Sequence, residues 1–306
     1  MQKLTLNLLF VLLTFSTSVF AQQESQFTQY LDNMLYYNPA YAGSRDALAI
    51  TSLSRAQWAG IEGAPKTTTL SVHSPITLKG LALGASMIYD KIGPTSSTWV
   101  NGDISYTIQL DRKKKSKLSF GLKVGANFLS NNYGTLTKEE WNDPTLSGAV
   151  QNEIKPNFGA GVYYHSKYWF LGLSSPRIVE SAAEVGELNY RDIRHYHLAF
   201  GGYFKYNRML KIRPSIMLKV AMNSPMAIEA SNYFIFYDNF WLGVNYRFKE
   251  SIALIAQINL SNEFKIGYAF ELSGNRLVKY NLGSHELLLS YDLNSKVKNL
   301  QSPRYF

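Results

Sequence analysis

The sequence predicts an all-β fold: an antiparallel transmembrane β-barrel of the outer-membrane kind, with about 14 strands. Three observations lead there. A period of two runs through most of the chain, in segments of about ten residues, the length a tilted strand needs to cross a bilayer. Residues 1–21 read as an export leader. Nothing after them approaches the ~20 consecutive apolar residues of a membrane helix.

Composition is consistent with this class. The chain has 306 residues, 46% hydrophobic and 17% charged, too apolar for a disordered polymer. Mean hydropathy is −0.15, low for a bundle of membrane helices but suited to strands that turn only alternate residues to lipid. Aromatics reach 14%, with 21 Tyr and 17 Phe, residues that favour pleated surfaces and membrane interfaces. With 0 cysteines, a disulfide framework and a thiolate metal site are excluded. The formal net charge is +9.

The leader has Lys3 as its positive start, an apolar run from Leu4 to Val19, and Val19-Phe20-Ala21 at the cleavage point. Cutting after Ala21 leaves Gln22 first, and no cysteine is there to carry a lipid. A transmembrane anchor is the alternative; the run is short for one and lacks a stop-transfer flank. The expected organisation is a signal peptide at 1–21, an N-terminal periplasmic or plug segment at 22–44, a barrel at 45–293 and a C-terminal tail at 294–306.

The alternation is clearest where Val100, Gly102, Ile104, Tyr106 and Ile108 interleave with Asn101, Asp103, Ser105, Thr107 and Gln109. Leu118, Phe120, Leu122, Val124, Ala126 and Phe128 then alternate with Ser119, Gly121, Lys123, Gly125 and Asn127, so the pair makes a hairpin. Strand segments are expected at 45–56, 66–76, 81–91, 98–110, 117–129, 155–166, 167–174, 194–206, 209–221, 226–237, 239–249, 251–260, 263–273 and 284–293. Pro214 removes one ladder hydrogen bond, so a bulge or local break is expected there. A soluble β-sandwich also alternates, but its strands are usually nearer five or six residues and its outer face is charged. Here the segments are long, and the face opposite the apolar one is rich in Gly, Ser, Asn and Tyr. Connections are short at 237–239, 249–250 and 261–262 and long at 130–154 and 174–193. Both long ones follow odd strands, which run outward when the N-terminus is periplasmic.

The polar faces carry Lys123, Lys205, Lys211, Arg213, Lys219, Arg247 and Lys265, with Asp103, Glu229, Glu271 and Asp292 on the same side. Lys123, Lys211, Arg213, Lys219 and Arg247 are the candidate lumen-facing basic residues. They would either favour an anionic passenger or form ion pairs that stabilise a filled barrel. A one-residue slip in register would invert the assignment. No catalytic group, cofactor or metal site is indicated. His165, His195, His197 and His285 stand near strand ends; His195 and His197 share a face, but no further ligand accompanies them. The basic run Arg112 to Lys117 occupies a short turn, where anionic lipid, a partner or solvent fits better than nucleic acid.

Gln22 to Gly43 is too polar for a lipid-facing strand and is broken at Asn38-Pro39, where the residue before proline is driven to an extended state. Tyr30, Tyr36, Tyr37, Asn38, Pro39 and Tyr41 are the candidate partner-binding residues. The segment, expected to start on the periplasmic side, reads as a docking element for a periplasmic partner or a plug at the barrel mouth. The alternative is a cover packed on the periplasmic rim.

Three stretches carry a family likeness. They are Phe27 to Gly43 (FTQYLDNMLYYNPAYAG), Gln57 to Pro65 (QWAGIEGAP) with Thr67 to Ser74 behind it, and Tyr89 to Thr95 (YDKIGPT). With the ending Ser302 to Phe306 (SPRYF), they resemble the PorP/SprF family of Bacteroidota. The resemblance implies an outer-membrane component of the type IX secretion system, without enzyme activity. Its role would be to support export or surface attachment of cargo such as gliding adhesins. The implied partners are other secretion components, a cargo C-terminal domain and outer-membrane lipid, with a peptidoglycan-linked periplasmic protein as a further candidate. Whether such a protein is a core machine part or serves one cargo is left open. The alternative function is a passive outer-membrane pore or channel.

Overall fold

The alternating segments become strands that pair with their sequence neighbours around a closed ring. The computed structural model describes residues 25–76, 80–111, 116–132, 151–180, 182–185, 188–191, 193–222, 224–274 and 276–293. The predicted leader, the tail, most of the 112–117 turn and the interior of the 130–154 loop lie outside the described residues. The strands are β1 (Leu48–Ala56), β2 (Lys66–Pro75), β3 (Leu81–Ile92), β4 (Thr95–Gln109), β5 (Lys117–Asn131), β6 (Gln151–His165), β7 (Trp169–Ser175), β8 (Ala182–Val185), β9 (Leu188–Arg191), β10 (His195–Gly202), β11 (Phe204–Lys205), β12 (Leu210–Ala221), β13 (Ala227–Phe236), β14 (Phe240–Arg247), β15 (Ser251–Asn259), β16 (Phe264–Ser273) and β17 (Ser284–Leu293).

All of these but β8 and β9 form one antiparallel sheet. It closes where β1 meets β17, Leu48 opposite Leu293, and β10 with β11 fills one position beside β12. The result is a fourteen-stranded barrel. Each expected segment appears in place. The expected break at Pro214 takes a specific form. Gly201 pairs with Ser215 and Phe204 with Ile212, so the register is continuous and there is no bulge. The ladder lapses only opposite the proline, which has no N–H to give; this is why β10 and β11 are separate. Unforeseen in the sequence is the small hairpin of β8 and β9 inside the long connection after β7.

Alternation puts the apolar set outside. Leu122, Val124, Ile216, Leu242 and Leu254 are exposed on the outer wall, whereas Asp103, Lys123, Ser215, Asn245 and Glu271 are buried inside. On the outer face of β1 and β2, Ser54 and Thr68 hydrogen-bond to each other at 3.1 Å, which satisfies hydroxyls that face lipid. Exposed aromatics band both rims: Tyr106, Trp169, Phe204 and Phe240 at one, Tyr89, Phe128, Tyr246 and Phe248 at the other. One end carries the connections 57–65, 93–94, 132–150, 176–194, 222–226, 248–250 and 274–283. The other carries 76–80, 110–116, 166–168, 206–209, 237–239 and 260–263, together with Leu48 and Leu293. They are called here the loop-bearing and short-turn ends.

Leu122 is 59% exposed and Ile216 46% on the outer wall. Leu122→Arg or Ile216→Arg should each cost about 2–4 kcal/mol, the penalty for Arg near the middle of a barrel's lipid face. Urea titration of the barrel in lipid vesicles checks this, and a loss below 1 kcal/mol at both sites would contradict the assigned faces.

Candidate functional site

The lumen is not empty. Residues 27 to 42 are buried inside the barrel without exception. They fold as three short turns: a 3-10 turn at Tyr30–Asp32, one helical turn at Met34–Tyr37 and a second 3-10 turn at Pro39–Tyr41. None is long enough to be stable alone; contacts with the wall fix them. Asn38 is extended (φ −137°, ψ 111°), as the following proline requires. Its Oδ1 accepts from the Ala40 N–H at 2.9 Å, capping the last turn, and its Nδ2 donates to the Val162 carbonyl at 3.0 Å. The wall makes room with glycines. A Cβ on Gly121 would overlap the backbone of Pro39 and Ala40, and one on Gly161 the side chain of Asn38. The glycines seen among the polar-face residues are thus part of the segment's footprint.

The six residues singled out in the sequence all lie in this filling. The Tyr30 hydroxyl meets Ser215 Oγ at 2.7 Å. Tyr36 stands edge-on to Phe27 and Tyr37, with ring centroids at 5.2 and 4.6 Å. Tyr37 meets the His197 ring at 5.2 Å and the Lys219 ammonium at 5.3 Å. Tyr41 packs edge-on against Tyr163 and His73, and its hydroxyl accepts from Arg45 Nε at 3.2 Å. Asn38 and Pro39 sit between them. These side chains face the barrel wall, not an aqueous surface.

Polar anchors hold the segment at two levels. Near the loop-bearing end, the Thr28 and Gln29 N–H groups donate to the two oxygens of Glu286 at 2.6 and 3.1 Å, and the Thr28 hydroxyl donates to Glu271 at 2.7 Å. Arg55 bridges both acids, at 2.9 Å to Glu271 and 2.5 Å to Glu286. Arg247 links Glu271 at 3.4 Å to Glu229 at 3.3 Å, and Lys219 completes the array at 2.9 Å from Glu229. Three cations therefore meet three carboxylates. Nearer the short-turn end, Asp32 pairs with Lys265 at 3.1 Å and accepts from Gln257 Nε2 at 2.8 Å. Arg45 pairs with Asp292 at 3.1 Å and donates to the Asp32 carbonyl at 3.2 Å. Lys117 and Asp46 close the series at the rim, 2.8 Å apart.

The candidate basic residues fall into this scheme. Lys123, Arg213, Lys219 and Arg247 are buried on the inner face. Lys123 pairs with Asp103 at 2.9 Å and reaches the Leu35 carbonyl of the segment at 3.3 Å. Arg213 lies against the Tyr233 and Trp241 rings, 5.9 and 5.8 Å from their centroids. Lys211 is at the short-turn rim, paired with Asp238. Lys205, placed by alternation on the polar face, is instead exposed, because β11 ends at the barrel rim. His195 and His197 do share the inner face, with rings stacked 6.4 Å apart. Among the described residues, no group of three or more His, Asp or Glu is arranged to hold a metal. Sequence reading missed Asp32, Arg45, Arg55, Glu286 and His73. For Glu286 a signal existed, since it alternates with Leu287 and Leu289. For Arg55 it was faint, since both faces of β1 carry small residues.

An ion pair broken from one side inside such a lumen leaves a bare charge, at a cost of about 3–5 kcal/mol. Lys265→Met should therefore loosen the segment around Asp32 while the barrel, held by its own ladders, keeps its heat-modifiable gel migration. Limited proteolysis should then cut between residues 25 and 44, and adding Asp32→Asn should restore most of the protection. Equal resistance in the wild type and Lys265→Met would show that this pair does not anchor the segment.

The fold has a counterpart among solved structures. The monoaromatic hydrocarbon channel CymD is similar at 11% identity, with a TM-score of 0.51, over 89% of this chain and 94% of that one. A FadL homologue of Pseudomonas aeruginosa (12% identity, TM-score 0.47, 84% and 93% covered) and the KdgM porin (8%, 0.42, 81% and 100%) are similar more distantly. At such identities the likeness is one of fold. No curated protein matches the sequence. Residues 19–291, which take in the lumen segment and nearly the whole barrel, match the family described as "Type IX secretion system membrane protein PorP/SprF", and the chain belongs to that family.

Proposed function

We propose that this type IX secretion membrane protein is a closed outer-membrane barrel that supports export or surface attachment of cargo by binding, not by conducting solutes. The observation that carries the reading is the filled lumen. The segment Phe27 to Ala42 is buried against the inner wall and is tied there at two levels, by the Thr28 and Gln29 hydrogen bonds to Glu286 and Glu271 and by the Asp32–Lys265 ion pair. A conducting pore would need that filling displaced, with loss of the Asp32–Lys265 pair and of the hydrogen bonds to Glu286 and Glu271. Binding surfaces are then left at the two ends. The loop-bearing end would meet a cargo C-terminal domain, gliding adhesins among the candidates, and the short-turn end other secretion components or a peptidoglycan-linked protein. The work would be binding and gating, with no covalent step and no cofactor. A cleavable leader ending at Ala21 would deliver the chain to the outer membrane.

Two measurements test this together. In planar bilayers the purified wild type should show no sustained conductance. In the native host, the protein should co-purify with type IX components. Tyr37→Ala combined with Tyr41→Ala removes two buried rings from the filling, each removal worth about 3–5 kcal/mol by analogy with other large aromatic truncations. The variant should still assemble as a heat-modifiable barrel but display less type IX cargo on intact cells. Steady conductance of the wild type, with cargo display untouched in the double variant, would favour a passive channel. Loss of the barrel itself would assign the two tyrosines to assembly alone.

A further inference from the structure

We infer that the lumen segment runs from outside to inside, so that the amino terminus of the exported chain is presented on the cell exterior. This goes beyond the proposed function and concerns which compartment can reach the N-terminus. A segment preceding the first outward-running strand would ordinarily begin in the periplasm. The contacts place its first described residues at the opposite end.

The direction can be followed residue by residue. The Ser25 hydroxyl lies 3.4 Å from that of Thr67, the second residue of β2, where that strand leaves the loop-bearing end. Thr67 in turn donates to Asp90, near the close of β3 at the same end. Thr28 is bound to Glu271 and Glu286 and lies beside Arg55 at 3.2 Å; all three are within three residues of the strand ends that enter the 57–65 and 274–283 loops. The chain then descends. Asp32 meets Lys265, the second residue of β16 as it rises from the short turns. Gly43 donates to His73 at 3.1 Å, close to where β2 reaches the short-turn end. Asp46 pairs with Lys117, the first residue of β5 at that end. Only then does the chain turn back into β1. Three tiers of contact agree on the direction, and β2 and β16 each carry an upper and a lower one.

In an outer-membrane barrel the short turns are periplasmic and the longer loops external. The Ser25 end of the segment therefore surfaces among the external loops, and whatever precedes Ser25 in the exported chain is offered to a ligand outside the cell and not to a periplasmic one.

The absence of cysteine from the sequence allows a clean test. Ser25→Cys, Lys249→Cys in the β14–β15 loop and Asn262→Cys in the β15–β16 turn are made singly and checked for heat-modifiable migration. Intact cells are treated with a membrane-impermeant maleimide. Ser25→Cys should label alongside Lys249→Cys, and Asn262→Cys only after the outer membrane is permeabilised. Because Ser25 is half-buried, a short epitope between Glu24 and Ser25 serves as the second reading, detected by antibody on intact cells. If Ser25→Cys and the epitope respond only after permeabilisation, together with Asn262→Cys, the inference is overturned. It is also overturned if Asn262→Cys labels on intact cells while Lys249→Cys does not, since the barrel would then stand the other way up.

Discussion

The structure depends on one constraint: charges that face into the barrel and away from bulk water must be matched there. Fourteen strands enclose a space wider than inward side chains alone fill, and alternation fixes which residues enter it. Arg55, Arg247 and Lys219 are brought among Glu229, Glu271 and Glu286 by strand register alone. Coulomb pairing offsets the desolvation of these groups only when the remaining hydrogen-bonding positions are also filled. The lumen segment fills them. Two successive N–H groups, of Thr28 and Gln29, donate to the two oxygens of Glu286, one of them shared with Arg55, and the Thr28 hydroxyl donates to Glu271. The wall and its filling are therefore a single polar network.

That network explains why the inner face is not uniformly polar. Leu53, Ile88, Met217, Ile235, Ile255 and Leu288 point inward and are buried. They would be misplaced around a water-filled channel. They are well placed against Phe27, Leu31, Met34 and Leu35, with which they form a continuous apolar core. The barrel thus carries two hydrophobic surfaces of different kinds. The outer one is solvated by lipid, where burial gives no net drive to associate. The inner one is a conventional core, excluded from water at roughly 25 cal/mol per Å², and only the filled barrel has it.

The sequence disclosed the wall far better than the filling, and the reason is physical. A strand's face is a local property with a period of two, so Val100 to Gln109 and Leu118 to Phe128 could be assigned from their own residues, and Pro214 could be marked as a place where the ladder must lapse. The lumen segment has no period. Its partners are far along the chain: Thr28 meets Glu286 across 258 positions and Asp32 meets Lys265 across 233. Its aromatic content and its Asn38-Pro39 step marked it as ordered, and the glycines of the polar face were visible. What was not visible is that Gly121 and Gly161 are spaces shaped for Pro39, Ala40 and Asn38. The hairpin of β8 and β9 was missed because four-residue strands are too short for alternation to distinguish from a loop.

The same long separations tie the filling to the last step of closure. Arg55 lies on β1 and Glu286 on β17, the two strands that meet at the seam, and Arg45 reaches Asp292 across it. Until the seam forms, the segment lacks the carboxylates that hold Thr28, Gln29 and Arg45. Without the segment, in turn, β17 would bring Glu286 and Asp292 into the lumen with fewer partners. Each event removes the other's penalty, which is the condition for two processes to be cooperative, and contacts so distant in sequence pay their loop entropy before they gain anything. The filling and the closed wall therefore reinforce each other, although the wall is also held by its own ladders. An empty cylinder would keep the pairs among Arg55, Arg247, Lys219 and their carboxylates but lose Asp32 beside Lys265, the hydrogen bonds of Thr28 and Gln29, and the apolar contacts of the inner core.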